Sequence, residues 1–359
     1  MIVSAILFFG LWLKGNRFSN GAAWLTDKPG IRFANYGLAY TPSLQKLSDI
    51  DHLFKDGFSI ELAIRPAARQ NANFGFVLCL HGGQDRDQLL LWQWRSHVIV
   101  MNGDDYSHKR REPRISINTE SFENRPIFLN LTSGQEGTRI WINRNVAKTD
   151  VNLKLSIPNG GGTRLTLGNS VYGNNPWEGD VMGLAVYELV LNEEETAQHF
   201  SQWTRSQSFR FAAAYQPLLL YTFESGPGGR VLDRSGNGLD LLVPPKMMVL
   251  QKRFLAFPWE KLQLNPSLIS DVVVNLLGFI PLGLVMAILL HQSKGFWGNH
   301  AMAASVLFCF LLSLGIEITQ AWMPWRSSDL HDLLLNTAGG WIGTVTAKQG
   351  MRYKELGLT

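Results

Sequence analysis

Between residues 265 and 346 the chain passes through three apolar segments that carry more polar groups than lipid alone would accept. The first reads Asp271-Val-Val-Val-Asn275-Leu-Leu-Gly278-Phe-Ile-Pro281-Leu-Gly283. The third reads Asp332-Leu-Leu-Leu-Asn336-Thr-Ala-Gly339-Gly-Trp-Ile-Gly343. Both place Asn four residues and Gly seven residues after an Asp, which makes a weak internal repeat. At about 100° per residue, those offsets fall on one face of an α-helix. The second segment ends in Glu317-Ile-Thr-Gln320, and a short connection carries Arg326 and Asp329. Ionisable groups inside a membrane span are costly and mark functional positions that need partners.

The segments 266–290, 301–322 and 329–347 are each long enough to cross a bilayer, which takes about 20 apolar residues. They make a helical membrane domain over 266–347. Ahead of it, 246–265 holds Arg253, Phe257-Pro258-Trp259 and Lys261, an aromatic and basic collar of the kind found at a membrane interface. The tail, 348–359, carries Lys348, Arg352 and Lys354, and the loop before the second span carries Lys294. The positive-inside rule puts both on the cytoplasmic side. The polar residues then fall towards the outer side, as one cluster if the helices form one bundle. At the other end, residues 1–18 open with an apolar stretch and read as a retained first helix entering from the cytoplasm, although Lys14 and Arg17 follow it. That gives four spans, a multi-pass protein of the bacterial cytoplasmic (inner) membrane, and an extracytoplasmic middle region.

The 359 residues suffice for two domains. A mean hydropathy near zero suits one water-soluble domain plus a few spans. The net charge of +4, with scattered basic residues, gives no support to a nucleic-acid partner. Cys79 and Cys309 fall in a strand-like run and a membrane segment, so they read as buried apolar residues and not as a disulfide.

The middle, 21–245, changes period. Runs at 58–65, 74–80, 88–94, 97–101, 126–132, 138–143, 163–167 and 181–189 read as short strands between Gly-, Asn- and Asp-rich turns. Such a series means an all-β sandwich or barrel. The series Phe58-Ser-Ile-Glu-Leu-Ala-Ile-Arg65, Arg139-Ile-Trp-Ile-Asn143, Leu167-Gly-Asn169, Trp177-Glu-Gly-Asp-Val-Met-Gly-Leu-Ala-Val-Tyr187 and Leu191-Asn-Glu-Glu-Glu195 resembles the laminin G-like, concanavalin A-like jelly roll. In that family the last piece closes the domain with a strand and a short helix. Tyr221-Thr-Phe-Glu and Asp233-Arg-Ser-Gly-Asn-Gly resemble what usually opens the domain. Here they follow it, and are expected to add a strand beside the first one.

Glycosidases on this fold carry Glu-x-Asp-x-x-Glu on one strand. Here Glu178 and Asp180 are followed by Gly183 where the second Glu would stand, which favours a binding or structural module. Asp85, Asp87, Asp104 and Asp105 read either as turn residues or as oxygen ligands for Ca2+. Trp92 and Trp94 share a strand face, as a sandwich-core pair or, less favoured, a sugar-stacking platform.

The polar pattern of the C-terminal segments is similar to the VanZ-like membrane family: Asp271-x-x-x-Asn275-x-x-Gly-Phe-x-Pro281-x-Gly283, then Glu317-x-x-Gln320, then Arg326-x-x-Asp329-x-x-Asp332-x-x-x-Asn336-x-x-Gly339. The resemblance implies a helical membrane fold and, from one member, a link to glycopeptide-antibiotic resistance. It implies no reaction. Asp271, Asn275, Glu317, Gln320, Arg326, Asp329, Asp332 and Asn336 form the candidate cluster, and three readings of it stand. It is helix glue with Arg326 paired to Asp329 or Glu317, a site for the headgroup of a membrane lipid or cell-wall precursor, or a hard-metal site of Asp271, Glu317, Asp329 and Asp332. The glycines at 278, 283, 339, 340 and 343 would let helices approach closely. The whole reads as an envelope protein with a carbohydrate- or protein-binding sandwich, self-associating if the spans are to form a pathway. The competing reading is a membrane-embedded enzyme acting on a lipid-linked glycan or phospholipid.

Overall fold

The computed structural model describes residues 2–10, 19–44, 54–67, 74–84, 86–105, 109–158, 162–204, 216–224, 226, 228–252, 254–256, 266–323, 326 and 328–355. The aromatic and basic collar at Arg253, Phe257, Trp259 and Lys261 lies outside them, as do Asp85 and residues 11–18 of the expected first helix. Two compact units result: residues 17–250, and residues 1–16 together with 251–359.

The first unit is an antiparallel sandwich of two eight-stranded sheets. One sheet runs β1 (Ala22–Trp24), β2 (Ile31–Phe33), β13 (Gly179–Tyr187), β4 (Gly57–Pro66), β9 (Ile127–Gly134), β10 (Gly137–Ile142) and β11 (Asn145–Asp150), with β14 (Leu219–Tyr221) also on β13. The other runs β15 (Arg230–Val231), β16 (Leu241–Leu242), β3 (Ala39–Tyr40), β12 (Arg164–Leu167), β5 (Gly75–His81), β6 (Gln88–Trp94), β7 (His97–Asn102) and β8 (Arg114–Asn118). Period-two alternation builds the core between them. Phe58, Ile60, Leu62 and Ile64 of β4 point inward, as do Leu89 and Leu91 of β6.

The eight strands expected from alternation all form. Those that alternation could not reveal are mostly shorter, and the polar edge strand β11 is exposed along most of its length. The segment after the domain's closing helix adds β14 beside β13 and β16 beside β3, not a strand beside β4. Asp233 fixes that segment: its carboxylate accepts from the backbone N–H groups of Leu220, Ser235 and Leu239. Tyr221 then donates its hydroxyl to the Leu239 carbonyl at 2.6 Å.

The helix expected after β13 is α2 (Glu193–Thr204). Asn192 and Glu195 form a reciprocal capping pair, each side chain accepting from the other's backbone N–H at 2.9 and 2.8 Å. The start and end of the unit are clasped by Asn20. Its amide donates to the carbonyls of Leu38 and Pro244, and its oxygen accepts from the N–H groups of Ala22 and Leu38. Ser19 bridges to Lys246 beside it.

The second unit is helical: α1 (Ile2–Gly10), α3 (Pro266–His291), a single turn Phe296–Asn299, α4 (Ala301–Gln320) and α5 (Leu330–Glu355). Helices α3 and α5 run parallel and touch backbone to backbone. A Cβ on Gly283, Gly339 or Gly343 would come within 2.0–2.1 Å of the carbonyl oxygens of Gly340, Leu276 and Ile280 respectively. This is the close approach that small residues permit between helices. Gly278 departs from the expectation, because nothing lies within 4 Å of its Cβ position. Helix α4 runs antiparallel to both and meets α5 along Ser305, Cys309, Ser313 and Glu317, all buried and spaced by four residues. Ser305 bonds Thr344, and Ser313 accepts from Asn336. Ile2, Val3 and Ile6 of α1 pack on the cluster formed by Phe279, Leu282, Cys309 and Ile316.

Gly343→Ala should lower the stability of the purified protein by about 1–3 kcal/mol, because the added methyl collides with backbone that has no rotamer to yield. Gly315→Ala, which adds its methyl to open space, should leave it unchanged or higher. Thermal unfolding of both variants in the same detergent checks the pair.

Candidate functional site

The polar residues of the helical unit converge at one end of the bundle. The N-terminal half of α3 supplies Asn275, whose amide donates to Asp332 of α5 at 2.8 Å. The last turn of α4 supplies Glu317, buried to 1% exposure, which accepts the Asp329 backbone N–H at 2.9 Å. The connection from α4 to α5 is thus held by Glu317 through the backbone. Residues ahead of α3 pin the same connection: Ala256 donates to the Ser328 carbonyl and accepts from Leu330, in a short parallel bridge. Beside it the Lys252 ammonium sits over the Trp322 ring.

Asn275, Glu317 and Asp332 line a cleft of about 470 Å³. Its polar wall is Asn275, Glu317, Gln320, Arg326, Asp332 and Asn336. Its apolar wall includes Ile2 and Ile6 of α1, with Phe279 and Ile316. Gly278 and Pro281 line it as well, and Pro281 offers no N–H to the carbonyl of Leu277. Asn336 is 5% exposed; its amide donates to Ser313 at 3.0 Å, while its side-chain oxygen has no hydrogen-bond partner. Buried acceptors are satisfied in the great majority of folded proteins, so an orphan lining a cleft marks a place for a donor.

Of the eight residues the sequence assigns to the cluster, six line this cleft. Asp329 contributes its backbone to the α4–α5 connection, and the side chain of Asp271 lies outside the described residues. Among the described residues no three metal-ligating side chains gather. The sequence reading missed Ser305, Ser313 and Thr344. The signal was present, as a polar or small residue at every fourth position from Ser305 to Glu317.

The sandwich candidates lie elsewhere. Trp92 has 0% exposure and packs with Phe76, Cys79, Leu90, Ile99 and Met101 on the outer face of its sheet. Phe74 meets its ring edge-on at 4.7 Å, and Arg95 covers the Trp94 ring at 4.9 Å. A buried ring cannot stack on a sugar, so Trp92 is a packing residue, while Trp94 beside it is half-buried. Asp104 pairs with Arg110. Asp105 accepts from the backbone N–H groups of Arg110 and Glu112 and from Arg114 at 2.6 Å. Burial pushes the Asp105 carboxyl up, but these donors outweigh it and hold it below the usual carboxylate range. Asp87 is half-buried.

Asp180 is buried between two arginines, Arg32 at 2.8 Å and Arg65. Burial raises its carboxyl, and the hydrogen bonds from Arg32 and Arg65 bring it below the ordinary value. Gly183, where a second glutamate was sought, has the Trp203 ring 2.2 Å from its Cβ position. Around that ring Glu61 is fully buried, holding His199 at 2.5 Å, Trp203 at 3.0 Å and the Tyr187 hydroxyl at 3.1 Å. Helix α2 therefore covers the Gly183 end of that face, while Glu178 at the other end is exposed.

The architecture defines a class: a jelly-roll sandwich joined to a helical unit, in which Val272–His291 and Ala301–Gln320 are long and apolar enough to cross a membrane. Residues 213–351 match the VanZ/LLP1 family, so the C-terminal region is VanZ-like. The match begins ahead of β14 and takes in the last strands of the sandwich unit. No curated protein matches the chain. Among solved structures it is similar to a Bacteroides ovatus ATCC 8483 protein described as carbohydrate binding, at 15% identity and TM-score 0.42, covering 62% of this chain and 61% of that one. It is similar to the binding domain of Botulinum neurotoxin DC in complex with rat synaptotagmin II, at 12% and 0.39, covering 51% and 45%. It is also similar to the Ruminococcus gnavus IT-sialidase CBM40 bound to α2,3-sialyllactose, at 13% and 0.35, covering 50% and 96%. The chain thus spans less than two thirds of the first two. Likenesses at this level say nothing about a ligand.

Asp180→Asn should lower the melting temperature of the sandwich near neutral pH, because it leaves two arginines facing a neutral amide. A loss of about 2 kcal/mol, or roughly 6 °C for a unit of this size, is expected. A depressed carboxylate stabilises above its unfolded value of about 3.9, and that contribution disappears as pH falls through the folded value. The wild-type protein should therefore lose stability below about pH 4, and the variant should show a flatter slope there. Thermal melts across pH 3–7 measure both.

Proposed function

We propose that this protein is a bacterial envelope protein whose membrane cleft holds the polar headgroup of an envelope lipid or lipid-linked cell-wall precursor. The observation that carries the reading is the unpartnered side-chain oxygen of Asn336, buried in the wall of a cleft that also presents Glu317, Gln320, Arg326 and Asp332. A guanidinium such as that of Arg326 pairs with phosphate oxygens, and a neutral donor on the same ligand would satisfy Asn336. The apolar wall from α1 and α3 suits an attached hydrocarbon chain. In this reading α5 is a third C-terminal span, α1 a first, and the basic tail is cytoplasmic. The sandwich is then extracytoplasmic, binding carbohydrate or protein in the envelope.

One observation favours an enzyme as the second reading: Glu317 is a buried carboxylate sharing its cleft with Asp332 and Arg326. An enzyme would convert a lipid-linked glycan or phospholipid, and purified protein would release product from it.

The test is complementation of a deletion strain under a panel of envelope-targeting antibiotics that includes glycopeptides, with membrane levels matched by blot. Gly278→Leu fills the cleft from a position with nothing within 4 Å, so it should insert and fold yet fail to rescue. Asn336→Ala, Glu317→Gln and Asp332→Asn should also fail. Full rescue by all four at equal levels would sink the cleft as a binding site and leave its polar residues as helix glue.

A further inference from the structure

The charges of the helical unit are sorted by end. From residue 283 to 316 and from 333 to 353 there is no Asp or Glu, while the same stretches hold Lys294, Lys348 and Arg352 with His291 and His300. The next acid along α5 is Glu355. The bundle end away from the polar cleft is therefore mainly basic, with Glu355 the one acid near Arg352 in sequence.

At that end lies a second pocket, of about 560 Å³. It is lined by His291 at the end of α3, His300 and Met302 at the start of α4, and Lys348, Met351 and Arg352 on α5. Lys348 and Arg352 are four residues apart, so they share one helix face, and both are exposed. Ala301 and Ala303 line the same pocket, which therefore faces the first turn of α4. His300 stands at the N-cap without a side-chain cap, so the free N–H groups of that turn have no capping acceptor. A helix N-terminus, two fixed cations and two histidines around one cavity are a place for a phosphate oxyanion.

The surroundings say which phosphate. The turn that leads into the pocket exposes Phe296 and Trp297, 66% and 57% accessible and packed edge to face. Aromatic residues in this setting sit at headgroup level. Met302 and Met351 give the pocket apolar walls, and Leu289 of α3 is exposed nearby in sequence. We propose that this pocket binds the phosphodiester headgroup of an anionic phospholipid, at a site separate from the polar cleft. Lys348 and Arg352 clamp the phosphate, the α4 N-terminus completes the oxyanion contacts, and the aromatic turn holds the pocket at the membrane surface. Basic pockets between spans are suited to such headgroups, with each Lys or Arg contributing about fivefold in affinity.

The full-length protein in detergent micelles is titrated with dioleoyl phosphatidylglycerol and with dioleoyl phosphatidylcholine, and bound lipid is counted by native mass spectrometry. Wild type should prefer the anionic lipid by at least about tenfold. Lys348→Gln and Arg352→Gln should each cost about fivefold, and the double variant about 30-fold, at unchanged melting temperature. Lys294→Gln, outside the pocket, should keep the preference. Equal binding of the two lipids by wild type overturns the proposal. So does loss of preference in Lys294→Gln equal to that in the double variant, which would mean a diffuse charge effect. A final arm adds inorganic phosphate: retention of the lipid at tens of millimolar phosphate is expected, and its displacement would assign the pocket to a soluble phosphate and overturn the lipid.

Discussion

The helical unit depends on one contact, the approach of α3 to α5 with no side chain between them. Gly283, Gly339 and Gly343 set the distance, and the distance sets the register. Once Ile280 meets Gly343, Asn275 is within reach of Asp332, and α4 can seat its Ser305, Cys309, Ser313 and Glu317 stripe along α5. Polar groups that lipid would reject are then spent on one another or on backbone. What remains unspent, chiefly the Asn336 oxygen, opens onto the cleft. The cleft exists where the glycine contact stops: Gly278 sits on the same helix as Gly283 but faces empty space.

The sandwich solves a different problem with similar means. Its central strand β4 has a buried outer face as well as a buried inner one, because Leu189 and Leu191 bond Ser59 and α2 lies over Glu61. A fully buried carboxylate needs several donors, and Glu61 draws them from β13 and α2 together. That network fastens the helix in place, and Gly183 is the vacancy that admits the Trp203 ring. The Gly183 end of the stretch that resembles a catalytic strand in sequence is thus covered.

The fold was largely legible in the sequence. Long alternating runs such as β4, β6 and β13 read directly, since both period and length were diagnostic. Two-residue strands such as β3, β15 and β16 carry too few residues for a period, and they form because neighbours such as β12 present open edges. In the cleft, the repeat of Asp, Asn and Gly put Asn275, Asp332 and Asn336 on helix faces that meet along one wall, because helical geometry fixes faces. It could not say that Glu317 would bind a backbone N–H, which depends on how a loop folds. Nor could it separate Trp92 from a solvent-facing platform, because a strand's period shows which residues share a face and not what covers that face.

The Asn20 clasp has a consequence for assembly. Helix α1 is made first, and about 255 residues pass before α3 begins. Closing so long a loop costs entropy that grows with the logarithm of its length. Once the sandwich has folded and joined Ser19 to Lys246, the effective loop to be closed between α1 and α3 is fewer than 30 residues. The saving is about 2 kcal/mol, enough to bias the order of events. The intervening domain works as a template that returns the polypeptide close to where it left, so an early helix need not search for its late partner.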